Sequence, residues 1–240
     1  MDFSAITVLC LGDVMLDRFL YGSMDRISPE APVPVLLLDS RREMPGGAGN
    51  VASNIISLGG RAILVGLSGQ DEAGACLRTT LAEKNGWWML QCKVVRVDEE
   101  SHAPMAEPEQ EALCRQIDAH IGGCQAVVVS DYGKGVCSPI VLSHLFRVAR
   151  QAGVPVFVDP KSTDYTLYKG ATCITPNAKE LAAASGMPVD TAAHVEAAAS
   201  KVMAQADAQA ILATRSEKRH DAGTARGRGA GGACPCAGSV

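Results

Sequence analysis

Four short segments carry the residue types that chemistry needs. The first is Gly46-Gly47-Ala48-Gly49-Asn50, which opens a helical pattern. Small residues there let a ligand approach the backbone, and free N–H groups at a helix start favour anions or polar hydroxyls. The second is the pair Asp13 and Asp17, just after the first apolar run. Ionised carboxylates are acceptors for hydroxyl donors. The third is a repeated arrangement, Ser130-Asp131-Tyr132-Gly133-Lys134-Gly135 and Asp159-Pro160-Lys161, in which an apolar run ends in Asp with Lys close behind. The fourth is Thr175-Pro176-Asn177-Ala178-Lys179-Glu180.

Each segment also has a purely structural reading. The Gly-rich turn can be a tight connection, and it is no dinucleotide fingerprint because it does not directly follow the first strand. A Walker-type Gly-Lys-Ser/Thr is absent from the sequence. Asp13 can cap the turn after Gly12, and Asp17 can be a solvated side chain. Asn177 with Glu180 three positions on has the spacing of a helix capping box, and spacing alone favours that reading.

The elements that must position these residues alternate. Ile6–Leu11, Arg61–Val65, Ala126–Ser130, Pro155–Asp159, Cys173–Thr175 and Ala210–Thr214 read as strands. Several are continuously apolar, as strands buried on both faces of a parallel sheet are. Between them the pattern predicts helices over Asn50–Leu58, Glu72–Asn85, Glu107–Ile121, Pro139–Gln151, Lys179–Ser185 and Ala192–Ala206. Ser138 before Pro139 and Thr191 are N-cap candidates, and Gly59, Gly86 and Gly153 are helix stops. The expected fold class is α/β, a doubly wound, mainly parallel sheet with ligands at the C-terminal strand ends. Three polar strand ends in one sheet suggest one shared crevice. Val33–Asp39, entered through Pro29, Pro32 and Pro34, reads as part of a small accessory sheet.

Bulk properties narrow the function classes. The 240 residues can bury a real core as one large α/β domain or two small ones. The net charge of -4 argues against a nucleic-acid surface, although Arg226-Gly227-Arg228-Gly229 leaves an RNA-associated tail as a minor reading. No apolar run is long enough to cross a bilayer, and the N-terminus lacks a basic region, so neither membrane nor signal peptide is expected. Nine scattered cysteines suggest reduced thiols and a cytoplasmic location.

Taken together the motifs resemble a known family. Pro45–Gly60 (PGGAGNVASNIISLGG) is similar to the N-terminal signature of the ribokinase-like, or PfkB, sugar kinases, and Asn177–Glu180 to that family's Asn-x-x-Glu motif. Gly12–Phe19 (GDVMLDRF), Arg26–Pro34 (RISPEAPVP), Ser130–Gly135, Asp159–Lys161 and Thr214–Glu217 (TRSE) resemble one branch, the D-glycero-β-D-manno-heptose 7-phosphate kinases. The resemblance covers about residues 5 to 218. It implies transfer of a phosphoryl group from ATP, with Mg2+, to a sugar phosphate. Another sugar within the family, or binding without turnover, are the rival readings.

By the same resemblance Asp13, Gly46, Gly47 and Asn50 hold sugar hydroxyls, with Asp17 nearby. Asn177, Ala178, Lys179 and Glu180 lie at the ATP phosphates, Glu180 serving the metal through water. Thr214 and Ser216 border the nucleotide, and Lys161 and Lys134 offer positive charge to a phosphate. Lid elements are expected at about 14–40 and 87–98, the lid forming a homodimer contact.

Two departures stand out. The family's catalytic base belongs to a Gly-Ala-Gly-Asp motif that the sequence does not contain, so the chain as given is expected to be inactive. Residues 1–218 then read as an incomplete kinase domain and 219–240 as an anomalous tail, with six glycines in Ala222–Val240. Such a composition does not offset the entropy of ordering. A one-base slip after Lys218 turns the codons CGG CAT GAC GCN into GGC ATG ACG, Gly-Met-Thr, the residues the family has there. An out-of-frame tail is therefore expected.

Overall fold

The computed structural model describes residues 2–83, 87–89 and 105–214. Seven parallel strands form the main sheet: β1 (Thr7–Gly12), β4 (Arg61–Val65), β5 (Trp87–Met89), β6 (Ala126–Ser130), β7 (Val156–Asp159), β8 (Cys173–Ile174) and β9 (Ala210–Ile211). Their order is β5-β4-β1-β6-β7-β8-β9. Six helices connect them: α1 (Ala48–Ser57), α2 (Glu72–Glu83), α3 (Glu107–His120), α4 (Pro139–Ala152), α5 (Ala178–Ser185) and α6 (Ala192–Gln205). The chain steps outward from β1 to β4 and β5, then returns to build β6 to β9 on the other side. The strand order therefore reverses beside β1, which is where α/β sheets leave a crevice at the strand ends.

Alternation along β1 divides the core. Leu9 and Leu11 join α3, α4, α5 and α6 through Leu113, Ile117, Leu142, Leu145, Leu181 and Val202. Val8 and Cys10 point the other way, to Ala48 and Ala52 of α1 and Leu77 and Leu81 of α2. Each fully buried aliphatic side chain contributes about 1.5–3 kcal/mol of transfer free energy. Local chemistry sets the helix ends: the Ser138 hydroxyl accepts from Val141 N at 3.3 Å, and Gly153 closes α4 with φ 68°. Thr191 does the same for α6, accepting from His194 N.

The expectation of strands buried on both faces holds for β1 and fails for β7. Val156 and Val158 are buried, while Phe157 on the opposite face is 39% exposed and Leu212 beyond β9 is 45% exposed. No described helix covers that side of β7 to β9.

A second sheet is a long antiparallel ribbon of β2 (Val14–Ile27) and β3 (Pro34–Gly47). The turn between them lies within RISPEAPVP and is closed by Ser28 N donating to Val33 O at 2.8 Å. Prolines 34 and 45 are tolerated because a two-stranded ribbon consists of edges. Val33–Asp39, read as part of a small accessory sheet, falls at the turn and the start of β3, and the ribbon extends to Gly47. The expectation for 87–98 differs from what is found. Trp87–Met89 pairs in parallel with Ala62–Leu64 at the edge of the main sheet, not with the ribbon. Three residues in register with an apolar parallel neighbour add to the existing ladder. Residues 90–98, Gly86, Ser216 and the tail 219–240 lie outside the described residues. Among the described residues no helix is long and apolar enough to cross a membrane.

Candidate active site

The C-terminal strand ends stand side by side. Gly12 is level with Ser130, and Ser130 with Asp159. Asn177 forms a parallel bridge with Thr214. One edge of the sheet thus presents Asp13, Asp131, Asp159, Asn177 and Thr214 in spatial order, with the root of the ribbon above Asp13.

Asp13 is only 2% exposed. Its Oδ2 accepts from Tyr132 N at 2.8 Å and Lys134 N at 3.1 Å, and its Oδ1 from Val136 N at 3.1 Å. Its backbone is engaged as well: Asp13 N donates to Ser130 O, and Asp13 O accepts from Ala48 N. Asp13 therefore shapes the loop after β6 and fixes the start of α1. This is more than the turn cap its local sequence allowed. Of about four lone-pair positions on a carboxylate, three are taken by amides.

The glycines permit that crowding. A Cβ on Gly47, which has φ 57°, would collide with the Asp13 carbonyl oxygen. One on Gly46 would lie 2.6 Å from the Asp17 carboxylate, so Asp17 rests against bare backbone. Asn50 is exposed in the first turn of α1. Gly46, Gly47, Asp17 and Asn50 thus surround one end of the crevice.

The loop after β6 is tied to the loop after β7. Asp131 is 6% exposed, its N donates to Asp159 O, and its Oδ1 accepts from Gly133 N. Its Oδ2 accepts from the Tyr168 hydroxyl at 2.6 Å, within a buried pair. Loss of water pushes the Asp131 carboxyl up, partly opposed by the Tyr168 and Gly133 hydrogen bonds. Asp159, although exposed as a residue, is also pushed up, first by partial loss of water, then by Glu180 and Asp131, with Lys161 opposing. Tyr132 stands among these acids: desolvation, then Asp159, Asp17 and Glu180, raise its hydroxyl. Five carboxylates from separate parts of the sequence therefore share one region. Lys161 is exposed there, its stem running over Gly133. A cavity of about 590 Å³ opens beside it, lined among others by Asp131, Gly133, Lys161 and Ser162.

At the other end, Asn177 caps α5. Its Oδ1 accepts from Lys179 N and Glu180 N, and Glu180 Oε2 accepts from Asn177 N at 2.9 Å. The capping-box reading of this segment is realised in full. Ala178 N donates to Thr214 O, so Thr214 is held against the start of α5. Asn177 and Lys179 are exposed and Glu180 half-buried. Glu180 has one carboxylate oxygen outside the cap. Among the described residues no three His, Cys, Asp or Glu side chains cluster closely enough to cage a metal.

Tyr168 escaped the sequence reading. Asp131 stood in a noted motif, but Tyr168, 37 residues away, carried no local signal.

Residues 102–219 match the pfkB family carbohydrate kinase model. The chain is 56% identical over 236 residues to the Bifunctional protein HldE of Gluconacetobacter diazotrophicus, covering 91% of this chain and 49% of that protein. With the Granulibacter bethesdensis protein of the same name the identity is 54% over the same shares. The chain spans about half the length of the curated relatives it matches. Among solved structures it is similar to phosphofructokinase-2 from Escherichia coli in complex with fructose-6-phosphate, with TM-score 0.68, 23% identity, and 88% of this chain and 74% of that one covered. Ribokinase from Arabidopsis thaliana complexed with ribose and ATP gives TM-score 0.57 at 17% identity, over 90% of this chain and 72% of that one. At these identities the structures speak for the fold, and the fold agrees with the family match. Residues 102–219 thus carry a pfkB family carbohydrate kinase domain.

Proposed function

We propose that the crevice binds a sugar phosphate and ATP for phosphoryl transfer, the sugar phosphate being D-glycero-β-D-manno-heptose 7-phosphate and the product the 1,7-bisphosphate. The observation that carries this reading is 56% identity to a Bifunctional protein HldE across 91% of the chain. In this reading Asn50, Asp17 and the backbone at Gly46 and Gly47 orient the sugar hydroxyls. The remaining acceptor position of Asp13 adds one hydrogen bond. Lys161 and Lys134 face a phosphate, and Asn177, Ala178, Lys179 and Thr214 border the nucleotide, with Ser216 next along the chain. The free oxygen of Glu180 holds a water of Mg2+, which supplies charge neutralisation at the phosphates. The ribbon closes over the sugar and pairs with a second copy, giving a homodimer in the cytoplasm.

A second reading is binding of the same ligands without turnover. Calorimetry with a panel of sugar phosphates, followed by phosphorus NMR of each with ATP and Mg2+, tests both. Tightest binding of the heptose 7-phosphate supports the substrate, and 1,7-bisphosphate formation adds turnover. Preference for a hexose or pentose phosphate overturns the substrate.

A further inference from the structure

The Asp131–Tyr168 pair joins two loops that no local sequence signal connects. Tyr168 lies in a short 3₁₀ turn at Tyr165–Tyr168 and is fully buried. Its hydroxyl donates to Asp131 Oδ2 and accepts from Ser162 N at 3.2 Å. The Lys161 amide acts on the same oxygen. Asp131 in turn holds Gly133 N and donates its own amide to Asp159 O. Lys161 Cγ would lie 3.7 Å from a Cβ on Gly133, so the two loops touch where the lysine leaves the backbone. The neighbouring Tyr165 is a natural contrast. It packs edge-on against Tyr168 with ring centroids 5.6 Å apart, yet its hydroxyl is buried without a hydrogen-bond partner among the described residues. Packing alone therefore explains Tyr165 and does not explain Tyr168.

We propose that Tyr168 is a positioning residue: through Asp131 on one side and the Lys161–Ser162 backbone on the other, it sets Lys161 against the crevice for the phosphate of the sugar. Its hydroxyl makes no contact with substrate. It acts by holding the loop after β7 to the loop after β6. The inference rests on the sugar-phosphate reading of the crevice, and the test separates the two.

In the full 240-residue chain, Tyr168→Phe removes one hydroxyl and keeps the ring, and Tyr165→Phe is the control. Amide hydrogen exchange at Gly133 and Ser162 is measured without ligand. Dissociation constants for D-glycero-β-D-manno-heptose 7-phosphate and for ATP are measured by calorimetry. Tyr168→Phe is expected to speed exchange at both amides. It should weaken the sugar phosphate by up to about tenfold, the size of one buried hydrogen bond, with ATP unchanged. Tyr165→Phe should change neither. A merely structural role would move both dissociation constants together or neither, and either result overturns the proposal. So does unchanged exchange at Gly133 and Ser162. If the unsubstituted chain binds no sugar phosphate, the substrate reading fails and the exchange data alone decide the clamp. Should Tyr168→Phe not fold, Asp131→Ala serves, since it removes the acceptor for the Tyr168 hydroxyl and keeps the tyrosine ring.

Discussion

Asn177 and Glu180 hold each other across the first turn of α5, the side chain of each accepting from the backbone N–H of the other. The reciprocity separates two roles for Glu180. Glutamine preserves a capping box, so Glu180→Gln should leave the thermal midpoint nearly unchanged. Asn177→Ala removes the N-cap acceptor and should cost about 0.5–2 kcal/mol. If Glu180 also serves Mg2+, Glu180→Gln weakens ATP in the presence of Mg2+ and leaves metal-free nucleotide affinity alone. Calorimetry with and without the metal, beside thermal unfolding, reads both.

Asp13→Asn should be costly before any ligand is added. The amide retains one acceptor oxygen and turns an NH2 toward a backbone N–H, which is left without an acceptor. With the oxygen at the Oδ2 position, Val136 N is orphaned; with it at Oδ1, Tyr132 N and Lys134 N are. An unsatisfied buried donor costs about 1–3 kcal/mol. Urea unfolding should show that loss with an unchanged slope. Full stability with weakened sugar binding would mean that Asp13 serves the ligand and not the loop.

Gly47→Ala tests the same contact from the other side. A side chain at φ 57° is strained, and the new Cβ meets the Asp13 carbonyl oxygen, a backbone atom that cannot swing away. Overpacking of this kind costs about 1–3 kcal/mol. Gly59→Ala, with φ 89° and open space around it, isolates the backbone part.

Much of this was legible in the sequence because it is local. Ala126–Ser130 and Arg61–Val65 are strands at the residues their apolar runs mark, and Ser138-Pro139 and Gly153 bracket α4 as cap chemistry requires. The ribbon was only half legible. Its strands are solvated on much of both faces, so no burial alternation is imposed, and Asp17, Arg18 and Arg26 interrupt the apolar pattern of β2. The crevice was legible as a set of strand ends but not as a network. Asp13 meets amides 119 to 123 residues away, and Tyr168 meets Asp131 through a turn with no motif. Such contacts follow from strand order, which spacing does not encode.

Alkaline titration should find Tyr165 and Tyr168 silent until the chain unfolds. Burial is the first cause in both and pushes both hydroxyls well above the usual phenol range, with the Asp131 hydrogen bond adding for Tyr168. A folded-state value raised above the unfolded one gives stability that is full below the unfolded value, about 10, and is lost as pH rises beyond it. The phenolate absorbance of these two should therefore rise together with loss of helix signal, not before it. Tyr168→Phe should make the alkaline loss of stability shallower. Phenolate formation by all four tyrosines in a still-folded chain would contradict their burial.

The ribbon bears on oligomeric state. Ile27 is 70% exposed and Leu37 58%, with Phe19, Leu20, Tyr21 and Leu38 also at the surface. A lone two-stranded ribbon is marginal in water, and contiguous apolar surface of this kind marks an interaction face. Its root is held: Glu43 pairs with Arg18 and Arg41 and accepts from the Cys76 thiol on α2. The far end, toward the RISPEAPVP turn, has no such attachment to the main sheet among the described residues. Pairing of two ribbons through their apolar faces would bury both at once and hold each over its own crevice. Sedimentation should then show a dimer whose dissociation follows concentration. Phe19→Lys with Leu37→Lys should give monomers, because both lie on one face of the ribbon and each places a charge there. Glu43→Gln, acting at the root, should leave the dimer intact. A monomer at every concentration in the unsubstituted chain would remove the ribbon as the contact.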